Sequence, residues 1–204
     1  VSGGTDSTYQ TYLAKEVGKL NPLLLSFEPS RQTEIGEKNL KNLSKTFDCD
    51  LVQLKKNEKV YRKLAKIGLE VVGDHEWPNH VGIYTWPIKI AMKMGIKLIL
   101  YGEPQGLIGQ GRSKKLKEIN KIDREWFEEY VGMVGMRPKD MMEFDGSLNF
   151  KNMYPYIFPE DEEIKIKQIT PIFTGSYFKW DWHYVVSKME NYGWERSKER
   201  IEGD

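Results

Sequence analysis

The chain has 204 residues, with 31 Lys plus Arg against 30 Asp plus Glu and a net charge of +1. That length allows one domain with a real core and a small extension, and the near-neutral balance excludes a global basic field for nucleic acid or an anionic membrane. An apolar fraction of 39% suits a globular protein, and the longest apolar runs, at 23–25 and 96–100, fall far short of the ~20 residues that span a bilayer. The chain carries no signal-peptide pattern, so none is expected. Cys49 is the single cysteine, so an internal disulfide and a cysteine-cluster metal site are excluded, which fits a cytoplasmic location. The first residue is Val1, and the chemistry begins at residue 2 with almost no strand before it. The chain is therefore expected to be a segment of a longer protein.

Residues 7–19 read as a helix, with Leu13, Val17 and Leu20 near helical spacing. Residues 22–27 (PLLLSF) form a short apolar run after a Leu-Asn-Pro stop, the signature of a buried strand. Residues 33–47 give a second helix with Leu40, Leu43 and Phe47 on one face, and 51–54 a short strand. Residues 58–71 are helical through Val60, Leu64, Ile67 and Val71. Residues 73–80 (GDHEWPNH) read as a polar loop. Residues 81–94 look helical, although Pro87 must start, kink or divide that helix. Residues 96–101 (IKLILY) are the clearest strand, followed by the loop Gly102-Glu103-Pro104-Gln105.

This alternation implies an α/β fold with a parallel sheet covered on both faces. Right-handed crossovers then gather the strand-to-helix loops on one edge, where ligands bind. After residue 110 the pattern changes. Residues 112–130 are charged and helical, 145–180 are rich in aromatics and turns, and 182–192 give a last helix. A boundary is placed near residue 110, separating a core (1–110) from a mostly helical, aromatic-rich extension (111–204).

Ser2-Gly3-Gly4-Thr5-Asp6-Ser7 has the logic of a phosphate loop. Two glycines allow positive φ and leave no side chains in the way. Successive backbone N–H groups then point at one anion, and the following helix aims its positive end at the same place. The hydroxyls of Ser2, Thr5 and Ser7 add donors. Asp6 would repel a phosphate unless a cation lay between them, so it reads as a magnesium ligand. No lysine follows the glycines, which excludes the Gly-x4-Gly-Lys loop of γ-phosphate hydrolases. The bland alternative is a Ser-Gly-Gly turn with a Ser or Thr helix cap.

SGGTDS resembles the loop of the N-type ATP pyrophosphatases, the PP-loop superfamily. The longer text resembles the N-acetyl sugar amidotransferase family of lipopolysaccharide and flagellar-glycan synthesis. It comprises VSGGTDSTYQTYLAKEVGKLNPLLLSFEPSRQTEIGEKNLKNL, WPNHVGIYTWPIKIAMKMGIKLILYGEP and PIFTGSYFKWDW. The resemblance implies a Rossmann-like PP-loop fold, ATP and Mg²⁺ as cofactors, and a nucleotide-activated sugar as substrate. AMP would be transferred to the acetamido oxygen and displaced by ammonia, giving an acetamidino sugar. It also implies separate glutaminase and cyclase-like subunits as ammonia source. Glutaminases use a nucleophilic cysteine with a histidine, and Cys49, in a Phe-Asp-Cys-Asp context, lacks the turn glycines such a nucleophile needs.

Outside the loop, Glu103 is either a magnesium- or ammonia-orienting group or an exposed loop acid. His80, with Asp74 and Asn79, is either a hydrogen-bond donor to sugar or phosphate, an acid/base near neutral pH, or a structural histidine. Trp77 either stacks on a ligand or packs. Thr33 reads as a helix cap beside Gln32, and Arg112, Lys114, Lys115 and Lys117 either meet a diphosphate or form a solvated face. Tyr177, Phe178, Trp180 and Trp182 read as core, with Asp181 among them a possible substrate contact. The stretch 154–158 is a candidate docking patch. His75 and His183 receive no role, and Cys49 reads as inert. The competing functions are another PP-loop ligase, a tRNA thiolase (disfavoured by the single cysteine), and a non-catalytic ATP-binding module.

Overall fold

A computed structural model describes residues 1–102 and 124–197. In chain order its elements are α1 (Thr5–Tyr12), β1 (Leu24–Phe27), α2 (Glu34–Phe47), β2 (Leu51–Leu54), α3 (Glu58–Val72), α4 (Trp77–Met94), β3 (Leu98–Tyr101), α5 (Arg124–Trp126), α6 (Pro138–Phe144), α7 (Phe150–Met153), α8 (Asp161–Ile166), β4 (Thr170–Phe173) and α9 (Trp182–Glu190). A π-helical turn, Leu13–Val17, extends α1, and another, Phe127–Val131, extends α5. The protein is thus mixed α/β. Its strands are short and parallel, in two two-stranded sheets among the described residues: β1 with β2 and β3 with β4. The boundary expected near residue 110, and residues 112–123 of the expected charged helix, lie outside the described residues.

The chain divides into two compact units, one of residues 1–54 with the described residues from Phe178 onward, the other of residues 55–177. In the first unit β1 and β2 pair in register from Leu24 opposite Leu51 to Phe27 opposite Leu54. The β1–α2–β2 order follows from chemistry readable in the sequence. Thr33 caps α2 by accepting the Gly36 N–H at 3.1 Å, as expected of a Thr at that place. Asp48 ends the helix in the left-handed conformation with φ 49°, and three residues later the chain enters β2. Leu40, Leu43 and Phe47, three to four residues apart, put one stripe of α2 onto Leu24 of β1 and onto Cys49. A second cluster joins α1 to α9 through Tyr9, Leu13, Val185 and Met189, with Trp180, Tyr192 and Trp194 packed around it.

In the second unit α4 is longer than expected. It begins at Trp77, inside the segment read as a polar loop, and runs without division through Pro87 to Met94. Pro78 sits in its first turn, where the missing N–H would have had no partner and the fixed φ suits a helix. Val81, Tyr84, Thr85 and Ile88 are buried around its middle, so packing on several sides outweighs the lost bond at Pro87. β4 falls within the stretch read as turns. Its partner is β3, in register from Leu98 opposite Thr170 to Tyr101 opposite Phe173. Thr174 Oγ1 then donates to the Tyr101 carbonyl at 3.0 Å and closes the end of this ladder.

The turn between α3 and α4 depends on one glycine. A Cβ at Gly68 would lie 2.5 Å from the Asp74 carbonyl oxygen and 2.9 Å from Trp77 Cβ, distances at which backbone must move. Gly68→Ala is therefore expected to destabilise the protein by about 2–3 kcal/mol through overpacking. Chemical denaturation would check this; a midpoint equal to wild type would show that α3 and α4 are not held this close.

Candidate functional site

Residues 2–7 form a tight turn at the start of α1. The Val1 nitrogen reaches the Leu25 carbonyl at 2.5 Å, so the turn begins beside β1. Gly3 has φ +87°, a left-handed conformation that glycine adopts without steric cost. Gly4 is extended, with φ −73° and ψ 168°, so only the first of the two glycines uses positive φ. Gly3 also has no room for a side chain: a Cβ would lie 2.5 Å from the Gly36 carbonyl oxygen and 2.9 Å from the Leu40 nitrogen, both on α2.

This geometry directs the amides. The N–H groups of Ser2 and Gly3 both donate to Ser7 Oγ, each at 3.2 Å. They converge on one oxygen, as the amides of an anion-binding nest do. Ser7 Oγ donates in turn to the Gly4 carbonyl at 3.1 Å, and Gly4 N–H donates to Ser2 Oγ at 3.3 Å. Gly4, at the N-cap, offers no side chain to α1, so the Ser or Thr cap of the bland alternative is absent. The first-turn N–H groups of Thr5, Asp6 and Ser7 have no acceptor among the described residues, the ordinary state of a helix start that leaves it open to an anion.

Asp6 is half-buried in that first turn. Its Oδ1 accepts the indole N–H of Trp180 at 2.9 Å, and the indole N–H of Trp194 donates to the Gly3 carbonyl at 3.2 Å. Neither contact was readable from local sequence, because the partners lie more than 170 positions away. Among the described residues no three His, Cys, Asp or Glu side chains gather as a protein-only metal site would require. A lone Asp6 beside anion-directed amides instead fits a cation shared with phosphate oxygens, the usual arrangement for magnesium.

His80 belongs to the second unit. Its Nδ1 lies 2.8 Å from Asp74 Oδ2, and Asp74 Oδ1 accepts the Glu76 N–H at 2.9 Å. The Asp74 bond holds the His80 imidazole above its ordinary value near 6.5 against the opposing effect of burial. Burial raises the Asp74 carboxyl, but the bonds from His80 and Glu76 outweigh it and hold the group below its ordinary 3.8. Asn79, the other polar residue expected here, is part of the frame: Lys56 Nζ donates to its Oδ1 at 2.8 Å, and its amide N–H donates to Glu76. Glu76 also accepts the Tyr61 hydroxyl at 3.2 Å. His80 is the exposed member of this set, so the pair resembles an acid/base held in one tautomer more than a core histidine.

Other expectations resolve differently. Trp77 is fully buried, its indole N–H donating to the Met133 carbonyl at 3.1 Å, so it packs and does not stack on ligand. Asp181 caps α9 by accepting the Tyr184 N–H at 3.0 Å. The aromatics read as core are largely outside it: Tyr177 is 69% and Trp182 55% exposed, and only Trp180 is half-buried, its ring edge-on to Tyr9 at 5.0 Å. Within the stretch offered as a docking patch, Tyr156 and Phe158 are buried and only Tyr154 is exposed, so no continuous aromatic face exists there. Cys49 is buried, and burial pushes its thiol up, which suits an inert residue. His75 lies 3.6 Å from Glu76, and His183 edges the Trp182 ring. Glu103, Arg112, Lys114, Lys115 and Lys117 lie outside the described residues.

No protein-family model matches the chain, and no curated protein matches it significantly. Among the described residues no helix is long and apolar enough to cross a membrane.

Two outcomes follow from this geometry. Gly3→Ala combines positive φ with a backbone clash, and is expected to cost roughly 3 kcal/mol; calorimetry would detect it, and an unchanged melting temperature would contradict the packing of the loop on α2. Asp74→Asn is expected to lower the His80 pKa, read from the imidazole NMR signals. Raised His80 stabilises below its unfolded value near 6.5 and loses that effect as pH rises through its folded value. Lowered Asp74 stabilises above 3.8 and loses that effect as pH falls. Wild type should thus exceed Asp74→Asn most in stability between about pH 4 and 6.5; a constant difference from pH 4 to 9 would contradict the pair.

Proposed function

We propose that this protein is an ATP-dependent N-acetyl sugar amidotransferase of the PP-loop, Rossmann-like class, working in the cytoplasm. The observation that carries the reading is the uncapped start of α1, where the Thr5, Asp6 and Ser7 amides have no acceptor among the described residues, with Asp6 in that turn and the Ser2 and Gly3 amides gathered on Ser7 Oγ beside it. The longer resemblance in 1–43, 77–104 and 171–182 chooses the acceptor class.

In this reading residues 2–7 bind the pyrophosphate portion of ATP. The open amides of Thr5, Asp6 and Ser7 would neutralise its charge, those of Ser2 and Gly3 would join them by exchanging Ser7 Oγ for a phosphate oxygen, the exposed Gly4 would allow close approach, and Asp6 would hold Mg²⁺. Magnesium supplies charge neutralisation on the leaving oxygens. The acetamido oxygen of a nucleotide-activated sugar attacks the α-phosphorus, and the bond to pyrophosphate breaks. Ammonia then adds to the activated carbon, AMP leaves with the former amide oxygen, and loss of a proton gives the acetamidino group. Within its own unit His80, held by Asp74, is an acid/base candidate. The resemblance gives separate glutaminase and cyclase-like subunits as the ammonia source, and Cys49, buried and bonded to the Phe47 carbonyl, is not suited to a glutaminase role. A net charge of +1 gives nucleic acid no part.

The reaction is tested by incubating the protein with ATP, Mg²⁺ and a UDP-diacetamido sugar acid, adding ammonium in one arm and glutamine in the other. The expected product differs from substrate by NH in place of O, in step with AMP and pyrophosphate, in the ammonium arm only. Asp6→Ala is expected to lower the rate at least 100-fold by removing the metal ligand. AMP release at the wild-type rate from Asp6→Ala would remove the metal role. Amidine made from glutamine without added subunits would remove the partner.

A further inference from the structure

The phosphate loop is held by a segment from the far end of the described chain. Asn39, buried on α2, donates from Nδ2 to the Glu195 carbonyl at 2.8 Å and accepts the Glu195 N–H at 3.0 Å. Asn42 donates to the Gly193 carbonyl at 3.3 Å. These bonds anchor residues 193–195 to the half of α2 against which Gly3 packs. Trp194 from this segment reaches the Gly3 carbonyl, and Trp180, just before α9, reaches Asp6. The two indoles thus act on different parts of the loop: one on backbone, the other on the only carboxylate.

We propose that Trp180 is a positioning residue for Asp6, fixing the carboxylate so that Oδ2 is offered to the divalent cation of a metal–nucleotide. The inference rests on the reading of residues 2–7 as a magnesium–nucleotide loop. An exposed Asp in a first helical turn rotates freely and is drawn to the helix's own unpaired amides. Here an indole N–H at 2.9 Å takes Oδ1, and Asp6 makes no bond to the first-turn amides. Those amides remain available to an anion, and among the described residues no hydrogen bond reaches Oδ2. The indole itself is fixed by its edge-on contact with Tyr9, whose ring is buried in the α1–α9 cluster. Indole has a single donor and no acceptor, so Trp180 holds the carboxylate without competing for the metal. A lysine in its place would neutralise the ligand, and a serine would bring a rotating hydroxyl.

The test compares Trp180→Phe with Trp194→Phe. Both keep an aromatic ring and remove one indole N–H. ATP binding to the whole chain is measured by calorimetry across a Mg²⁺ titration, and again without divalent cation. Trp180→Phe is expected to raise the Mg²⁺ concentration for half-maximal ATP binding about ten-fold, the scale of a charge-assisted hydrogen bond, while changing metal-free ATP affinity less than about two-fold. Trp194→Phe should leave the Mg²⁺ requirement within about two-fold. In an Asp6→Asn background, Trp180→Phe should have no further effect on the metal dependence, because the positioned ligand is already lost. Equal shifts from both tryptophan variants, or an undiminished shift in the Asp6→Asn background, would make Trp180 a packing residue and overturn the inference. An unshifted Mg²⁺ requirement in Trp180→Phe alongside a marked loss in Asp6→Ala would overturn the inference and leave the loop reading standing. Wild type that binds no ATP with Mg²⁺ would overturn both. Because Trp180→Phe keeps the ring contact with Tyr9, a melting temperature close to wild type is expected; if it falls, the Asp6→Asn pair still separates the two roles.

Discussion

The approach of Gly3 to the backbone of α2 is the constraint from which the rest of the first unit follows. With the Gly36 carbonyl 2.5 Å from where a Cβ would stand, the loop lies directly on the helix. A turn this close fixes the direction of the Ser2 and Gly3 amides without help from a ligand. Both amides meet on Ser7 Oγ, and that hydroxyl shares in holding their common direction. The same packing explains why α2 is so strongly specified, with a Thr33 cap at one end, a left-handed Asp48 at the other and a continuous apolar stripe between them. A helix that wandered by one turn would move the floor of the loop.

The second unit is organised around α4 instead. Its first residue, Trp77, is fully buried and bonded to the Met133 carbonyl, so the segment before it is presented from a fixed support. Asp74 and His80 flank that anchor, and Glu76 and Asn79 tie them to Lys56 and Tyr61. A histidine held this way has one nitrogen committed and the other available, which is the arrangement proton transfer requires. An apolar anchor beneath and a polar frame around it keep an exposed side chain in one rotamer.

Local pattern carried much of this and failed at identifiable places. β2 and α3 were legible because their signals are local: a four-residue strand between turn residues, and apolar residues spaced four, three and four apart. The start of α4 was not, because Pro78 and its polar neighbours look like loop until Trp77 is known to be buried. β4 was hidden by Pro171 and by a parallel partner about 70 residues upstream, since no period marks a pairing at that distance. The turn at residues 2–7 was legible from its two glycines, though only one of them adopts positive φ. Its supporting indoles were not, and for the same reason as β4. Trp180 reads as core by composition, and its contacts with Asp6 and Tyr9 distinguish it from exposed Trp182 two residues on.

The first unit is built from both ends of the described chain, with residues 55–177 lying between its parts. During synthesis the loop, β1, α2 and β2 emerge first, yet α9, Trp180, Trp194 and the Asn39–Glu195 pair arrive only after more than 120 further residues. The intervening unit, closed on itself by β3 and β4, can gather while α1 still exposes the apolar face that α9 later covers. A ribosome-bound chain therefore carries a half-supported turn at residues 2–7 beside bare Tyr9 and Leu13. Closure of so long a loop is entropically slow, and its last step brings Trp180 to Asp6, so that carboxylate gains its support only once the fold is complete.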